Sequence, residues 1–316
     1  MAFQVAATGQ AVNRVGLGCM GLSWAYTDPS HTRQERIAFL QDAYRAGVTL
    51  FDTSDQYGPF TNEELVGDAL SDVRDQVFIA TKGGLVVDDE GRTSRNGRPD
   101  HLRRAFEASL ERLRTDHVDL YQLHRIDPQT PLEKSWEALA DIARTGQARA
   151  IGLSEVSVEE IERAQAIHPV ESVQSELSLW SQEALREVVP YCEEHGITFI
   201  AYSPLGRGFL SGTIASKDDL SPKDWRRRNP RFQDDAVAYN NEQILTPLRE
   251  CARELGATPA QVAISWVLAA GKNVVTIPGT QRMKYLKENL AAADVQIPEE
   301  WMKRFSELPS TAGDRY

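Results

Sequence analysis

The chain is short of cysteine, short of positive charge and without a long apolar run. Its 316 residues include 3 cysteines, Cys19, Cys192 and Cys251, far apart and odd in number. No C-x-x-C or Cys/His spacing points to zinc or a redox pair, so no metal is expected. Cys192 and Cys251 fall on apolar faces of predicted helices, where core packing is their role. Cys19 lies nearer the candidate site, but nothing beside it in sequence would activate a thiolate. Lys and Arg number 35 against 46 Asp and Glu, a net charge of −11. That argues against a broad nucleic-acid surface, which needs clustered excess cations. The one basic knot, Arg226, Arg227 and Arg228 with Arg231, reads either as a solvated loop or as a small anion site. No apolar stretch approaches the roughly 20 residues needed to span a bilayer. The start, MAFQVAATGQAVNRV, lacks the charged beginning and apolar core of a secretory signal. A cytoplasmic protein with no membrane association is the expectation.

What is present is an alternation. FQVAA-TGQ-AVNRV reads as a β-hairpin around a glycine turn. Buried strands are then expected at Val15–Cys19, Val48–Thr53, Val77–Thr81, Val118–Leu123, Ala148–Leu153, Val173–Leu177, Ile197–Tyr202 and Val274–Ile277. Between them run helical stripes: Leu102, Phe106, Leu110 and Leu113; Trp136, Leu139, Ala140 and Ala143; Ile161, Ala164 and Ile167; Leu245, Leu248, Ala252 and Leu255. Thr258 and Pro259 open one more helix, and Gly47, Gly146, Gly196 and Gly271 sit where helices should stop. Alternating βα units with no break in composition imply a mostly parallel sheet. Eight of them fit a closed (β/α)8 TIM barrel, with residues 1–316 as a single domain. From Gly206 to Asn241 no long periodic element is visible. A segment of that length after the seventh strand reads as a lid or binding loop on the catalytic face.

GLGCMG, Gly16 to Gly21, satisfies G-x-G-x-x-G, but its context is wrong for a dinucleotide fingerprint. SWAYTDPS, with Pro29, follows where a helix should open, and Glu35 and Asp42 lie inside a helical stretch. Close backbone approach at the end of the first strand explains these glycines better. A second anion site is suggested by VVTIPGTQRMKYLKEN, a strand, a Pro-Gly-Thr turn and a helix start with Thr280, Arg282 and Lys284 nearby. An ordinary capped turn is the alternative.

Asp52, Lys82 and His124 each close a short apolar run, and Tyr57 follows Asp52 in the same loop. Singly they read as a capping carboxylate, a solvated amine, a strand-end imidazole beside Asp127 and an amphipathic turn residue. Together, at the rim of consecutive strands, they form a proton-donor system. A free phenol has a pKa of about 10. A nearby ammonium makes it a better acid, and a carboxylate would hold that ammonium in place.

With these residues in view, the chain resembles the aldo-keto reductase family over nearly its whole length. The carriers are VGLGCMGLS, FDTSDQYG, NEELVGDAL, ATKGG, LERLRTDHVDLYQLH, ARAIGLSE, SVQSELSLW, AYSPLGRGFLSG and IPGTQRMKYLKENL. The nearest flavour is the branch with pyridoxal-reductase-like and perakine-reductase-like enzymes. The resemblance implies an NAD(P)H-dependent reductase acting on a small-molecule carbonyl substrate. In it Tyr57 is the general acid, Lys82 lowers its pKa, Asp52 pairs with Lys82 and His124 orients the carbonyl. It also implies an NADP(H) site, with NAD(H) use open, formed by Met20, Gly21, Ser154, Gln174, Tyr202, Ser203, Leu205, Arg207, Gly279, Thr280, Arg282, Glu288 and Asn289. Tyr202 would stack on the nicotinamide. Ser154 and Gln174 would meet its carboxamide, and the Thr280 to Asn289 group would surround the 2′-phosphate and adenine. Trp24 and Tyr26 are candidates for an apolar substrate pocket. Two positions depart from the family pattern: Glu155 stands where Asn is frequent, and Tyr285 where Arg is frequent. Two other readings compete, a cofactor-binding sensor or channel-subunit-like module with little turnover, and a barrel glycosidase using Asp52 and Asp55. No sequence element speaks to oligomeric state.

Overall fold

The structure, a computed structural model, describes residues 2–4, 9–26, 30–222 and 224–315. The chain enters through the antiparallel hairpin β1 (Ala2–Gln4) and β2 (Ala11–Asn13), with Phe3 opposite Val12. Of the turn expected between them, Thr8-Gly9-Gln10, Thr8 lies outside the described residues with residues 5–7, as does Pro29, while Gly9 stands at φ +65°. Eight parallel strands follow in one sheet: β3 (Leu17–Gly18), β4 (Leu50–Asp52) and β5 (Phe78–Gly83), then, after a small hairpin of β6 (Leu85–Val87) and β7 (Thr93–Arg95), β8 (Leu120–Leu123), β9 (Ile151–Ser154), β10 (Ser172–Glu176), β11 (Thr198–Tyr202) and β12 (Val274–Thr276). Each pairs with its neighbour in chain order, and the first meets the last through a parallel bridge from Val15 to Thr276. The expected (β/α)8 barrel and all eight strands are present.

Closing the ring brings two backbones very near each other, and here the early glycines have their use. A Cβ on Gly18 would stand 2.6 Å from the Ile277 carbonyl oxygen, and one on Gly16 would stand 2.7 Å from the Leu50 side chain. The G-x-G-x-x-G run leads into a single 3-10 turn, Met20–Leu22, not into an α-helix.

Helices α1 (Arg33–Arg45), α2 (Thr61–Leu70), α3 (Pro99–Leu113), α4 (Leu132–Arg144), α5 (Val158–Gln165) and α6 (Val188–Glu194) follow the first six barrel strands. After β11 come α7 (Asp234–Asn240), α8 (Thr246–Glu254) and α9 (Pro259–Ala269), and after β12 come α10 (Met283–Ala291) and α11 (Glu299–Ser306). Their starts are written in side chains. Thr32 with Glu35, Ser157 with Glu160 and Thr258 with Gln261 form capping boxes. No helix among the described residues is long and apolar enough to cross a membrane.

The period-2 alternation of the strands sorts their side chains into two layers. Phe51, Ile79, Tyr121, Ile151, Val173 and Phe199 face outward and pack with the helices in the main core. Leu50, Phe78, Leu120, Ala150, Ile200 and Val275 face inward at the strand starts, where Val12 of the hairpin plugs the barrel. Two residues further along β4, β5, β10 and β11, the inward positions are Asp52, Ala80, Gln174 and Tyr202; Lys82 follows two residues after Ala80. The barrel is therefore apolar at its closed end and polar at the rim above the strand C-termini. Lys82, expected just beyond its strand, lies within β5 and opposite Gln122.

The segment after β11 is a string of 3-10 turns, Gly206–Ser211, Lys217–Asp219, Trp225–Arg228 and Pro230–Phe232, followed by the short α7. Its basic knot is neither a solvated loop nor an open anion site. Arg226 holds Asp224 and the Arg207 carbonyl, at 2.6 and 2.7 Å. Arg227 binds the carbonyls of Lys217 and Leu220, and buried Arg231 binds the Trp180 carbonyl and the Ser181 hydroxyl. These guanidiniums satisfy backbone groups that a chain of tight turns leaves unpaired. Arg228 alone of the four is exposed.

Candidate active site

Asp52, Tyr57, Lys82 and His124 meet at one buried place on the rim, with relative exposures of 3%, 8%, 0% and 6%. The Lys82 ammonium donates to Asp52 Oδ1 at 2.6 Å and to the Thr53 carbonyl at 2.8 Å. Asp52 Oδ2 accepts from Gln174 Nε2 at 2.8 Å, so both carboxylate oxygens are used. Lys82 Nζ lies 5.4 Å from the Tyr57 ring centre, and the Tyr57 and His124 rings meet edge-on with centres 6.0 Å apart. The loop that carries Tyr57 is pinned by the backbone bonds Asp55 N–H to Lys82 O, Tyr57 N–H to Ser54 O and Asn62 N–H to Tyr57 O.

The charge states follow from burial and neighbours. Burial pushes the Tyr57 phenol up; Lys82 pulls it back, but the net direction is upward. Lys82 thus acts on Tyr57 in the expected sense without winning, and Tyr57 is a neutral phenol with a proton to give at physiological pH. Burial alone would depress the Lys82 ammonium, but Asp52 and Tyr57 raise it on balance. Burial, then Lys82 and Arg125, hold His124 well below its ordinary value, so its imidazole is neutral. Its Nδ1 faces Ser54 Oγ at 3.1 Å. Asp127, the sequence neighbour that looked available, instead accepts from Gly97 N, Gln129 N and Thr130 Oγ1.

The other expected site residues spread round the same rim. Ser154 and Tyr202 end strands β9 and β11, Gln174 lies in the middle of β10 between them, and Gly279 and Thr280 follow β12. Ser154 Oγ accepts from Arg125 Nη1 at 2.9 Å. Ser203, at φ +51°, and Leu205 lead into the long segment, where the Arg207 guanidinium stacks 5.2 Å from the Trp225 ring. Arg282 is exposed and occupies the position just before α10, without a capping hydrogen bond from its side chain; Asn289 on that helix is buried. Glu288 accepts from Thr258 Oγ1 at 2.6 Å. Met20 and Gly21 lie in the turn after β3, and half-buried Trp24 donates its backbone N–H to the Met20 carbonyl. Tyr26 packs on Trp225 with ring centres 5.5 Å apart. Buried Cys19 has its thiol pushed up by burial and then Asp52, which makes it inert.

Three features were not anticipated. Arg315, near the chain end, returns to the rim and bonds Glu155 Oε1 at 2.9 Å, Glu176 Oε2 at 2.6 Å and the Tyr202 hydroxyl at 2.6 Å. It holds the Glu155 carboxyl below its ordinary value against the opposing pull of burial. Arg125, Arg95, Ile126, Glu155 and Glu160 line an open cavity of about 480 Å³. The third is Asp55, buried near Glu63; burial first and Glu63 second push its carboxyl up to about 8.

This raised carboxyl predicts a pH signature. Unfolded Asp55 ionises near pH 4, whereas folded Asp55 keeps its proton to about pH 8. The folded state binds more protons in that window, so it loses stability as pH rises through it, by at most about 1.4 kcal/mol per unit. Asp55→Asn cannot ionise. Its melting temperature should gain on that of the wild type between about pH 4 and 8; a pH-independent difference would contradict the shift.

Fold and rim together define a (β/α)8 barrel whose acid, amine, phenol and imidazole converge above the strand ends. The family model described as "Aldo/keto reductase family" matches residues 14–309. The chain is 40% identical to "Aldo-keto reductase yakc [NADP(+)]" of Schizosaccharomyces pombe, over 96% of its own length and 92% of the relative's. It is 39% identical to "Probable aldo-keto reductase 1" of Glycine max, over 98% and 89%. Among solved structures, the glycerol dehydrogenase AKR11B4 from Gluconobacter oxydans superposes with a TM-score of 0.86 at 28% identity, over 97% of this chain and 94% of that one. The chain belongs to the aldo/keto reductase family of oxidoreductases.

Proposed function

We propose that this protein reduces an aldehyde or ketone to the alcohol with NADPH, Tyr57 serving as general acid. The observation that carries the reading is the convergence of Tyr57, His124 and the Lys82–Asp52 pair in one buried spot at the open end of the barrel. The rim suits the cofactor. The N-terminus of α10 has no side-chain cap and no acidic residue in its first turn, which leaves its N–H groups free for phosphate, with exposed Arg282 and Lys284 beside it. The inward-facing positions of β9, β10 and β11 offer Ser154, Gln174 and Tyr202 to the nicotinamide end. The Schizosaccharomyces relative, named for NADP(+), adds support.

When bound, the reduced nicotinamide supplies the hydride. The protein's own residues handle the proton and the fit. Tyr57 holds a proton beside the developing alkoxide and releases it as charge grows there. Lys82 lowers the cost of the phenolate that remains, and Asp52, braced by Gln174, keeps the ammonium in place. Neutral His124 offers a ring N–H to the carbonyl oxygen, and burial of both rings excludes water from the proton transfer.

Fluorescence titration should give tighter binding of NADPH than of NADH. Arg282→Ala should weaken NADPH about tenfold, the loss of one charge-assisted hydrogen bond, and leave NADH unchanged. Equal weakening of both would remove Arg282 from the 2′-phosphate.

A further inference from the structure

Ser54 stands at a junction. Its Oγ lies 3.1 Å from His124 Nδ1, 3.2 Å from Asp55 Oδ1 and 3.4 Å from the Lys82 carbonyl, and it accepts from the Gln56 N–H at 3.2 Å. Ser54 and Asp55 are buried, at 0% and 3% exposure. A hydroxyl has one proton to give and two lone pairs to fill. With Gln56 holding one lone pair, two arrangements bond both Asp55 and His124; donation to the more distant Lys82 carbonyl would leave one of them without Ser54. In the first, protonated Asp55 donates to Ser54, Ser54 donates to His124 Nδ1, and the imidazole carries its proton on Nε2. In the second, ionised Asp55 takes the Ser54 proton, His124 donates from Nδ1 to Ser54, and Nε2 is bare.

We infer that Asp55, acting through Ser54, selects the tautomer of His124 and so decides whether the imidazole can donate from Nε2. The inference rests on the proposed reading of His124 as the donor to the substrate carbonyl, and it makes Asp55 a positioning residue. The groups facing Asp55 are Glu63 of α2, which disfavours its ionisation, Arg112 of α3, which favours it, and the neutral phenol of Tyr121 on β8. Lys82 and Arg125 face His124 and keep it neutral. The first arrangement therefore holds at physiological pH, and the second takes over as Asp55 loses its proton near pH 8. The Tyr57 phenol ionises well above that, while burial also raises the Glu63 carboxyl beside Asp55, so those two carboxyls titrate as neighbours.

Heteronuclear NMR of the imidazole nitrogens reads the tautomer directly in cofactor-free protein, with His124→Asn to identify the signal. The wild type should carry Nε2–H at about pH 6.5 and Nδ1–H at about pH 9.5. Asp55→Asn, whose amide donates permanently, should keep Nε2–H at both. In parallel, kcat/KM for carbonyl reduction should fall about tenfold per pH unit above the Asp55 midpoint in the wild type and stay level over that range in Asp55→Asn. One tautomer at both pH values in the wild type overturns the inference, and so does a switch that persists in Asp55→Asn. The NMR result is independent of turnover: a tautomer switch without carbonyl reduction would defeat the proposed function and leave the Asp55 relay standing.

Discussion

Tyr57→Phe is expected to lower turnover by roughly 10²- to 10⁴-fold, the usual worth of a positioned general acid, with NADPH affinity unchanged. The substitution is close to a pure deletion of chemistry. Phe keeps the ring that meets His124 edge-on and lies under the Lys82 ammonium. The hydroxyl it removes is buried and raised in pKa, so it is a protonated donor and not a phenolate in the resting protein. The residues read as holding the cofactor lie elsewhere on the rim: Met20 and Gly21 in the turn after β3, the rest on or after β9 to β12 and on α10. Steady-state turnover of an aldehyde and a fluorescence titration with NADPH, run on the same preparation, separate the two effects. Turnover within tenfold of the wild type would remove Tyr57 from the proton transfer. Equal losses in turnover and affinity would place it in cofactor binding instead.

The barrel was legible in the sequence because its strands are short, β-branched and evenly separated by helical stripes, so that period and spacing agree. The rim was legible for a related reason: a polar residue at the end of a buried run must face inward. Asp52 and Lys82 satisfy that condition on the strands themselves. Strand ends were less so. Val15 joins the barrel through one bridge to Thr276, because the glycines beside it trade regular pairing for close approach. Contacts between distant segments left no local trace. Arg315 lies 160 residues beyond Glu155 and 139 beyond Glu176, and nothing near the chain end announces that it returns to them. Its presence gives Glu155, the departure from the family pattern, a partner of opposite charge. Asp55 was visible only as a second carboxylate near Asp52. Its environment comes from buried Glu63 on α2 and half-buried Arg112 on α3, whose approach to it is a product of packing. The Arg226 knot misled for the same reason, since a cluster of cations looks alike in sequence whether it binds an anion or its own backbone.

Lys82→Met should cost both stability and catalysis, and the two losses can be told apart. The Lys82–Asp52 pair is almost wholly buried and also holds the Thr53 carbonyl. Removing one partner leaves Asp52 as an uncompensated buried charge, a loss of about 3–5 kcal/mol. Gln174 offsets only one of its two oxygens. Denaturant unfolding should show that drop. The double variant Asp52→Asn with Lys82→Met removes both charges at nearly constant volume, and replacing a buried pair by neutral groups is often close to neutral. It should therefore recover most of the lost stability. Turnover should not recover, because Tyr57 would still lack the cation that offsets the cost of its phenolate; a deficit of roughly 10²-fold or more is expected in both variants. Recovery of turnover together with stability would mean that Lys82 is a structural ion and that Tyr57 does not need it. Persistence of the stability loss in the double variant would mean that the Thr53 contact, not the charge pair, holds this part of the rim.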